Sequence, residues 1–150
     1  MLKPSKKTLF ALEAVLDIAY NSAGEPVQSS EITGRQGIPR RYLEQTLQAL
    51  VRHDILVGVR GPRGGYRLAR ERRRISVGDI VRVVQAAGDA EAATEVPSSE
   101  IGLKVIQPMW AGLDAEVMAR LDSLSIDELC RRAAAKGIFC KARDRLNYDI

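Results

Sequence analysis

The chain has 150 residues, 45% hydrophobic and 28% charged, a balance that fits a globular domain and excludes a disordered chain. The formal net charge is +4, but residues 1–85 carry +7 and residues 86–150 carry −3, so the first half is expected to meet a polyanion. No apolar run approaches the roughly 20 residues of a membrane span, and no signal peptide is evident at the start, so we expect a cytoplasmic protein.

Two helices are predicted in the first quarter of the chain. The run SKKTLFALEAVLDIAY has Ser5 as a candidate N-cap, and its apolar residues recur at helical spacing. This spacing predicts a core face made of Leu9, Leu12, Val15, Leu16 and Ala19. Ser29 and Ser30 are candidate caps for a second, short helix, which Gly37 ends.

A third helix, PRRYLEQTLQALVRHD, follows the glycine turn at once and opens near Pro39. Leu43, Leu47 and Leu50 share one face, and the opposite face is polar and rich in arginine and glutamine: Arg40, Arg41, Glu44, Gln45, Gln48 and Arg52. This pattern is typical of a helix-turn-helix. On this segment alone, a helical hairpin with a solvated surface is an equal alternative.

A basic, glycine-rich hairpin is predicted immediately after this helix, in ILVGVRGPRGGYRLA. A helix-turn-helix followed by such a hairpin is a winged helix, in which the helix enters the major groove and the hairpin lies along the neighbouring backbone. The glycines at 61, 64 and 65 would allow a tight turn and a close approach to phosphates, and Arg60, Arg63 and Arg67 would supply charge. A nucleotide-binding loop is disfavoured because the chain has no GxxxxGK[ST] sequence.

The second half predicts a fourth helix capped by Ser76, a linker at 86–100, and a long amphipathic helix from Ile101 with Pro108 near its start. The apolar stripe of this helix is Ile106, Met109, Trp110, Leu113, Val117, Leu121 and Leu124. A second copy is its simplest partner, which predicts a homodimer; folding back onto the same chain is the alternative. A final helix would begin at Ser125, in a capping box with Glu128, and end at Gly137.

The segments SKKTLFAL, YLEQTLQAL and RGPRGGYRLA, in this order and spacing, resemble the Rrf2 family of bacterial winged-helix regulators, whose members include IscR, NsrR and CymR. The resemblance covers roughly residues 5–85, and Trp110 and SIDEL also look like that family's later helices. It implies a mainly α fold and a dimeric, sequence-specific DNA-binding transcription factor, which we expect to act as a repressor or dual regulator. We therefore expect a winged-helix domain at 1–85, a linker at 86–100, and a dimerisation helix with a C-terminal helix and tail at 101–150.

Carried over by position, the resemblance implies that Arg41, Tyr42, Glu44 and Gln45 read DNA with the wing residues Arg60, Gly61, Arg63, Gly64 and Gly65. Arginine, glutamine and glutamate suit guanine, adenine and cytosine respectively. For Glu44, a surface salt bridge with Arg40 or Arg41 is the alternative. The remaining members of the predicted DNA-binding surface are Lys7, Ser29, Ser30, Arg40, Gln48 and Tyr66.

Many family members hold an iron-sulfur cluster on three cysteines between the fourth helix and the dimer helix. Here that segment has no cysteine or histidine, and Gln107 stands where a relative would place histidine. Asp89, Glu91, Glu95 and Glu100 are hard oxygen donors poorly matched to such a cluster. We predict a regulator without this cofactor and with no metal.

The two cysteines leave a redox question open. Cys130 is simplest as a small core residue, whereas Cys140 lies beside Lys141 and near Arg143, which would favour thiolate. A redox switch at Cys140 is an alternative that we place behind an inert residue. A second alternative, by resemblance only, is docking on a metabolic enzyme such as a cysteine-biosynthetic enzyme. The chain is not predicted to be an enzyme, because no catalytic constellation is recognisable.

Overall fold

The computed structural model describes residues 3–22, 24–88 and 98–140. The elements in these ranges are α1 (Lys6–Asn21), α2 (Ser29–Gln36), α3 (Arg40–Arg52), β1 (Leu56–Val59), β2 (Gly65–Leu68), α4 (Val77–Gly88), α5 (Gln107–Asp122) and α6 (Ile126–Ala135). A 3₁₀ turn, Arg72–Arg74, precedes α4, and a π-helical turn, Gly102–Ile106, leads into α5. The predicted mainly α winged-helix fold with a β-hairpin wing is therefore confirmed. No helix in the described ranges is long and apolar enough to cross a membrane.

Three of the predicted helix starts are confirmed by their caps. The hydroxyls of Ser5, Ser76 and Ser125 each accept a hydrogen bond from the N–H three residues later, at 3.2, 3.0 and 3.1 Å. Each bond satisfies an N–H group that the helix itself leaves without an acceptor. The Ser76 N–H also donates to the Asp79 carboxylate, which completes a capping box at α4.

The predicted caps of the second helix are wrong. Ser29 and Ser30 are its first two residues, and Gln28 is the N-cap, with its N–H donating to Glu31 at 2.9 Å. The reason lies outside the segment. Val27 is bonded in an extended conformation to Tyr66 of the wing, so the change from extended to helical backbone falls at Gln28.

The core surrounds α1, which packs against α3, α4 and α6. Small, fully buried residues of α1, such as Ala11 and Ala14, share this core with the buried leucines of α3. From α6, Ile126, Cys130 and Ala133 enter the same core. Most of the predicted linker, residues 89–97, lies outside the described residues.

The predicted core position of Leu9 is also wrong, because its side chain is 45% exposed. Leu9 lies in the first turn of α1, at the rim of the core. It lines a groove between α1, α4 and α5 together with Leu12, Val81, Val117 and Leu121. The apolar surface of α1 therefore continues towards α5.

Helix α5 differs from the other helices because none of its residues is buried. Pro108 lies at its start, as predicted. Proline has no N–H, and its ring clashes with the carbonyl four residues earlier in a regular helix. The wider π-helical turn that ends at Ile106 directly precedes α5.

Candidate DNA-binding surface

The turn between α2 and α3 is fixed by a glycine and a buried isoleucine. Gly37 has a φ of +68°, a left-handed conformation that glycine adopts without strain, and its N–H bonds to the Thr33 carbonyl at 2.9 Å. Ile38 is fully buried, and α3 begins two residues later. The predicted helix-turn-helix is therefore present.

A buried carboxylate ties α2 to α1. Asp17, with a side chain that is 0% exposed, accepts hydrogen bonds from Arg35 Nε at 2.9 Å and Nη2 at 2.8 Å. Gln36 Nε2 donates to the same carboxylate at 2.8 Å. This hydrogen bonding raises the pKa of Arg35 above its ordinary value. The network fixes α2 on α1. Because α2 directly precedes α3, it also helps to orient α3, the candidate DNA-binding helix.

The predicted contact residues of α3 lie on its solvent side. Its buried face is Leu43, Leu47 and Leu50, and its exposed residues are Arg40, Arg41, Tyr42, Glu44, Gln45, Gln48 and Arg52. The Tyr42 ring lies 6.1 Å from the Phe10 ring of α1, centroid to centroid. Lys7 lines the same cleft as Tyr42 and Gln45, so the start of α1 lies beside α3.

Glu44 forms the salt bridge that was the alternative to base recognition. Arg40 Nε donates to Glu44 Oε1 at 3.1 Å, and both side chains are exposed. An exposed pair one helical turn apart is weak, so it can exchange for other partners at small cost. Recognition of a base by Glu44 stays a prediction.

The wing is anchored to the rest of the chain along the outer edge of β2. β1 and β2 pair antiparallel from Leu56 with Leu68 to Val59 with Gly65. On the other side of β2, Val27 and Tyr66 exchange two backbone hydrogen bonds of 2.8 Å each. The start of α2, with the predicted contacts Ser29 and Ser30, is thereby held next to the wing.

Two of the wing glycines have a packing role. A Cβ on Gly64 would overlap the Val59 carbonyl, and a Cβ on Gly65 would lie 2.5 Å from the Val27 carbonyl oxygen. A Cβ on Gly61 would meet open space, and that residue is held at a φ of +110°. Gly64 and Gly65 are therefore needed to close the wing, whereas contact of any of the three with DNA stays a prediction.

Gly65→Ala is expected to separate β2 from Val27 and to lower the free energy of unfolding by about 1 to 3 kcal/mol, the usual cost of forcing an atom into a packed site. Urea denaturation measures this loss. Gly58→Ala is the matched control, because a Cβ on this glycine of β1 meets no atom within 4 Å. Equal stability of the two variants would contradict the packing role of Gly65.

The described arginines differ in their ion pairing. Arg35, Arg72 and Arg82 bond to carboxylates at 2.6 to 2.8 Å. On α3 and the wing, Arg40 pairs with Glu44. The other arginines of this surface have no ion-pair partner among the described residues: Arg41, Arg52, Arg60, Arg63 and Arg67. A cation without a carboxylate partner can bind a phosphate without first breaking an ion pair, so this surface suits a polyanion.

Both cysteines are buried. Cys130 lies in the core, and burial raises the pKa of its thiol. Cys140 is also buried and its Sγ donates to the Tyr20 carbonyl at 2.8 Å, whereas a redox role for this residue stays a prediction. The Tyr20 hydroxyl in turn donates to the Ile138 carbonyl at 2.7 Å, which holds the segment after α6 on α1. Lys141 and Arg143 lie outside the described residues.

Comparison with known proteins gives one consistent result. The Rrf2 family model, described as an iron-dependent transcriptional regulator, matches residues 4–132. The HTH-type transcriptional regulator IscR of Sodalis glossinidius is 33% identical over 129 residues, which cover 85% of this chain and 78% of the relative.

Two solved structures extend this similarity to the fold. T. potens IscR has a TM-score of 0.70 at 33% identity and covers 87% of this chain and 88% of its own. CymR, the global cysteine regulator of B. subtilis, has a TM-score of 0.70 at 26% identity, with 88% and 98% covered.

Proposed function

Because this chain belongs to the Rrf2 family of transcriptional regulators, we propose that it is a homodimeric repressor that binds a pseudo-palindromic operator. Like its relatives, it is a DNA-binding regulator and not an enzyme. The observation that carries the proposal is the surface of α3 and the wing, where five arginines have no ion-pair partner among the described residues.

The roles on DNA divide by position along this surface. Arg41, Glu44 and Gln45 lie near the start of α3 and would contact base edges, which carry the sequence information. Lys7, Arg40, Arg60 and Arg63 would mainly contact phosphates. Ile55 N–H bonds to the Leu50 carbonyl at 3.0 Å, so the wing begins directly where α3 ends and both can engage adjacent parts of one duplex.

The dimer would form through the apolar stripe of α5. Ile106, Met109, Trp110, Leu113 and Val117 are all between 43% and 48% exposed, although these are large apolar side chains. Leu121 and Leu124 are partly covered by the same chain. A contiguous apolar surface of this kind on one helix is typical of an interface, and a second copy provides a self-complementary partner.

Leu113→Glu is expected to convert the dimer to a monomer and to weaken operator binding by about a hundredfold or more, because the two half-sites are then no longer bound together. Sedimentation equilibrium and a DNA titration measure the two effects. Ala115→Glu is the matched control, since this exposed residue lies on the opposite side of α5 from the stripe. A Leu113→Glu protein that remains dimeric would contradict the role of α5.

The family name implies iron, but the residues of this chain do not fit an iron-sulfur cluster. Its only cysteines, Cys130 and Cys140, are buried in the core around α1 and α6. Thiolates are the ligands that these clusters need, and the segment from Gly88 to Trp110 has neither cysteine nor histidine. We therefore propose that this regulator works without the cluster.

Protein purified without oxygen is expected to be colourless and free of iron and sulfide, and to bind its operator nonetheless. An absorption spectrum with iron and sulfide analysis measures this. Stoichiometric iron with a brown colour would contradict the ligand argument, and Cys130 and Cys140 would then be the first residues to replace.

Docking on a metabolic enzyme stays a prediction, which a pull-down with untagged protein tests: recovery of DNA and never an enzyme would count against it.

A further inference from the structure

The C-terminal end of α5 is joined to α4 by a bidentate ion pair. Arg82 Nη1 donates to Asp122 Oδ1 at 2.7 Å, and Arg82 Nη2 donates to Asp122 Oδ2 at 2.6 Å. The two residues are 40 positions apart in the chain, so the pair is a tertiary contact. Two parallel N–H···O bonds fix the relative orientation of the two groups, which a single bond does not.

The backbone of α4 lies close to the end of α5 at this junction. A Cβ on Gly78, in the first turn of α4, would overlap Asp122 Oδ1. Beside it, Val77 N–H donates to the Leu124 carbonyl and Ile126 N–H donates to the Ile75 carbonyl, each at 2.8 Å. Side chains and backbone therefore hold the end of α5 in one position against α4.

This junction connects the two parts of the molecule that the proposed function uses. α4 belongs to the DNA-binding half, since Ile80 and Val83 enter the core beneath α3. α5 carries the exposed apolar stripe. In a dimer paired through α5, the angle between α4 and α5 decides the separation and rotation of the two α3 helices.

We propose that Arg82 and Asp122 are positioning residues that set which half-site spacing the dimer accepts. The inference rests on the proposed homodimer. Arg82 lies in α4 and Asp122 in α5, outside the predicted DNA-binding surface, and the pair acts by holding α5 at a fixed angle to α4. The hydrogen bond from Arg82 lowers the pKa of Asp122 below its ordinary value.

The test measures DNA affinity as a function of half-site spacing. Duplexes are first selected from a random pool with the full wild-type chain, and the best sequence is rebuilt with its half-sites up to two base pairs closer or farther apart. Each added base pair moves the second half-site by about 3.4 Å and rotates it by about 35°. We expect wild-type affinity to fall about tenfold for each step away from the optimum, because a rigid dimer must distort itself or the DNA.

For Asp122→Asn and Arg82→Gln, we expect affinity to fall only about threefold for each base pair away from the optimal spacing. The dimer dissociation constant and the affinity for a single half-site should equal those of the wild type. The double variant should behave like either single variant, since all three remove the same ion pair. Gly78→Ala should broaden the spacing profile in the same way, because the added methyl group displaces the Asp122 carboxylate. The control is Glu100→Gln, which removes an exposed pair with Lys104 before α5 and leaves α4 untouched.

Spacing profiles of Asp122→Asn and Gly78→Ala that coincide with the wild-type profile would overturn the inference. Gly78→Ala is a second variant in case Asp122→Asn fails to fold. Alanine favours a helix more than glycine does, and the melting temperature reports any unfolding. A wild-type protein with no preferred spacing would instead overturn the proposed homodimer on a palindrome. The failures of the two proposals are therefore distinguishable.

Discussion

Asp17→Ala is expected to lower the free energy of unfolding by about 3 kcal/mol, the lower end of the cost of breaking a buried ion pair. The carboxylate is fully buried, and its removal leaves Arg35 and Gln36 without their acceptor. The Arg35 side chain remains 24% exposed, so water compensates part of its missing hydrogen bonding. Urea denaturation measures the loss as a lower midpoint at unchanged slope.

A matched control uses a carboxylate on the surface. Glu128 meets Arg131 and Arg132 in ion pairs whose side chains are all exposed, so Glu128→Ala is expected to cost less than about 1 kcal/mol. All proteins are compared at one protomer concentration, because the stability of a dimer depends on it. If Asp17→Ala and Glu128→Ala had the same stability, the Asp17 network would not be what fixes α2.

The second large effect is expected on DNA. Arg41→Ala should weaken operator binding by about 1 to 3 kcal/mol and relax the base preference at one position, because alanine cannot form the bidentate hydrogen bonds to guanine. Arg63→Ala should weaken binding to all sequences alike and reduce the slope of log K against log salt by about 0.9 for each phosphate that the protein no longer neutralises. Titrations at several salt concentrations separate the two roles.

Arg73→Ala is the control for both variants. Arg73 is also exposed, but it lies in the 3₁₀ turn that packs on α6, and its nearest carboxylate oxygen, in Glu71, is 3.8 Å away. Its replacement changes the net charge by the same amount without changing α3 or the wing. If the Arg41→Ala, Arg63→Ala double variant kept wild-type affinity and salt slope, the assignment of the DNA-binding surface would be wrong.

Sequence reasoning succeeded where structure depends on neighbouring residues. Ser5, Ser76 and Ser125 cap their helices as predicted, because a cap needs only the N–H groups of the next turn. The leucines of α3 are buried because their spacing alone defines the face. The winged-helix fold could be predicted for the same reason, since its helices and hairpin follow each other with short turns.

The predictions failed where a distant segment decides the outcome. The α2 cap lies at Gln28 because Val27 pairs with Tyr66, which belongs to the wing and comes much later in the chain. The burial of Cys140 could not be predicted either, because the segment after α6 returns to Tyr20 of α1, which no local pattern indicates.

Asp17 was missed, although a signal existed. It is an acidic residue beside the apolar positions Ile18 and Val15 in a helix whose other face is polar, and a buried carboxylate needs a partner. The identity of that partner, Arg35, follows only from the packing of α2 on α1. The pairing of Arg82 with Asp122 likewise needs the structure, because the two residues come from separate predicted segments.

Selection of bound duplexes from a random DNA pool by the full-length wild-type protein, followed by sequencing, tests the central claim most directly. We expect an enriched inverted repeat, with half-sites separated by about one helical turn and with fixed bases where α3 meets each half-site. Enrichment that disappears when Arg41 is replaced by alanine would place that reading on α3. A pool that shows no enriched sequence, or an enriched sequence without two-fold symmetry, would contradict a dimeric regulator that reads a palindrome.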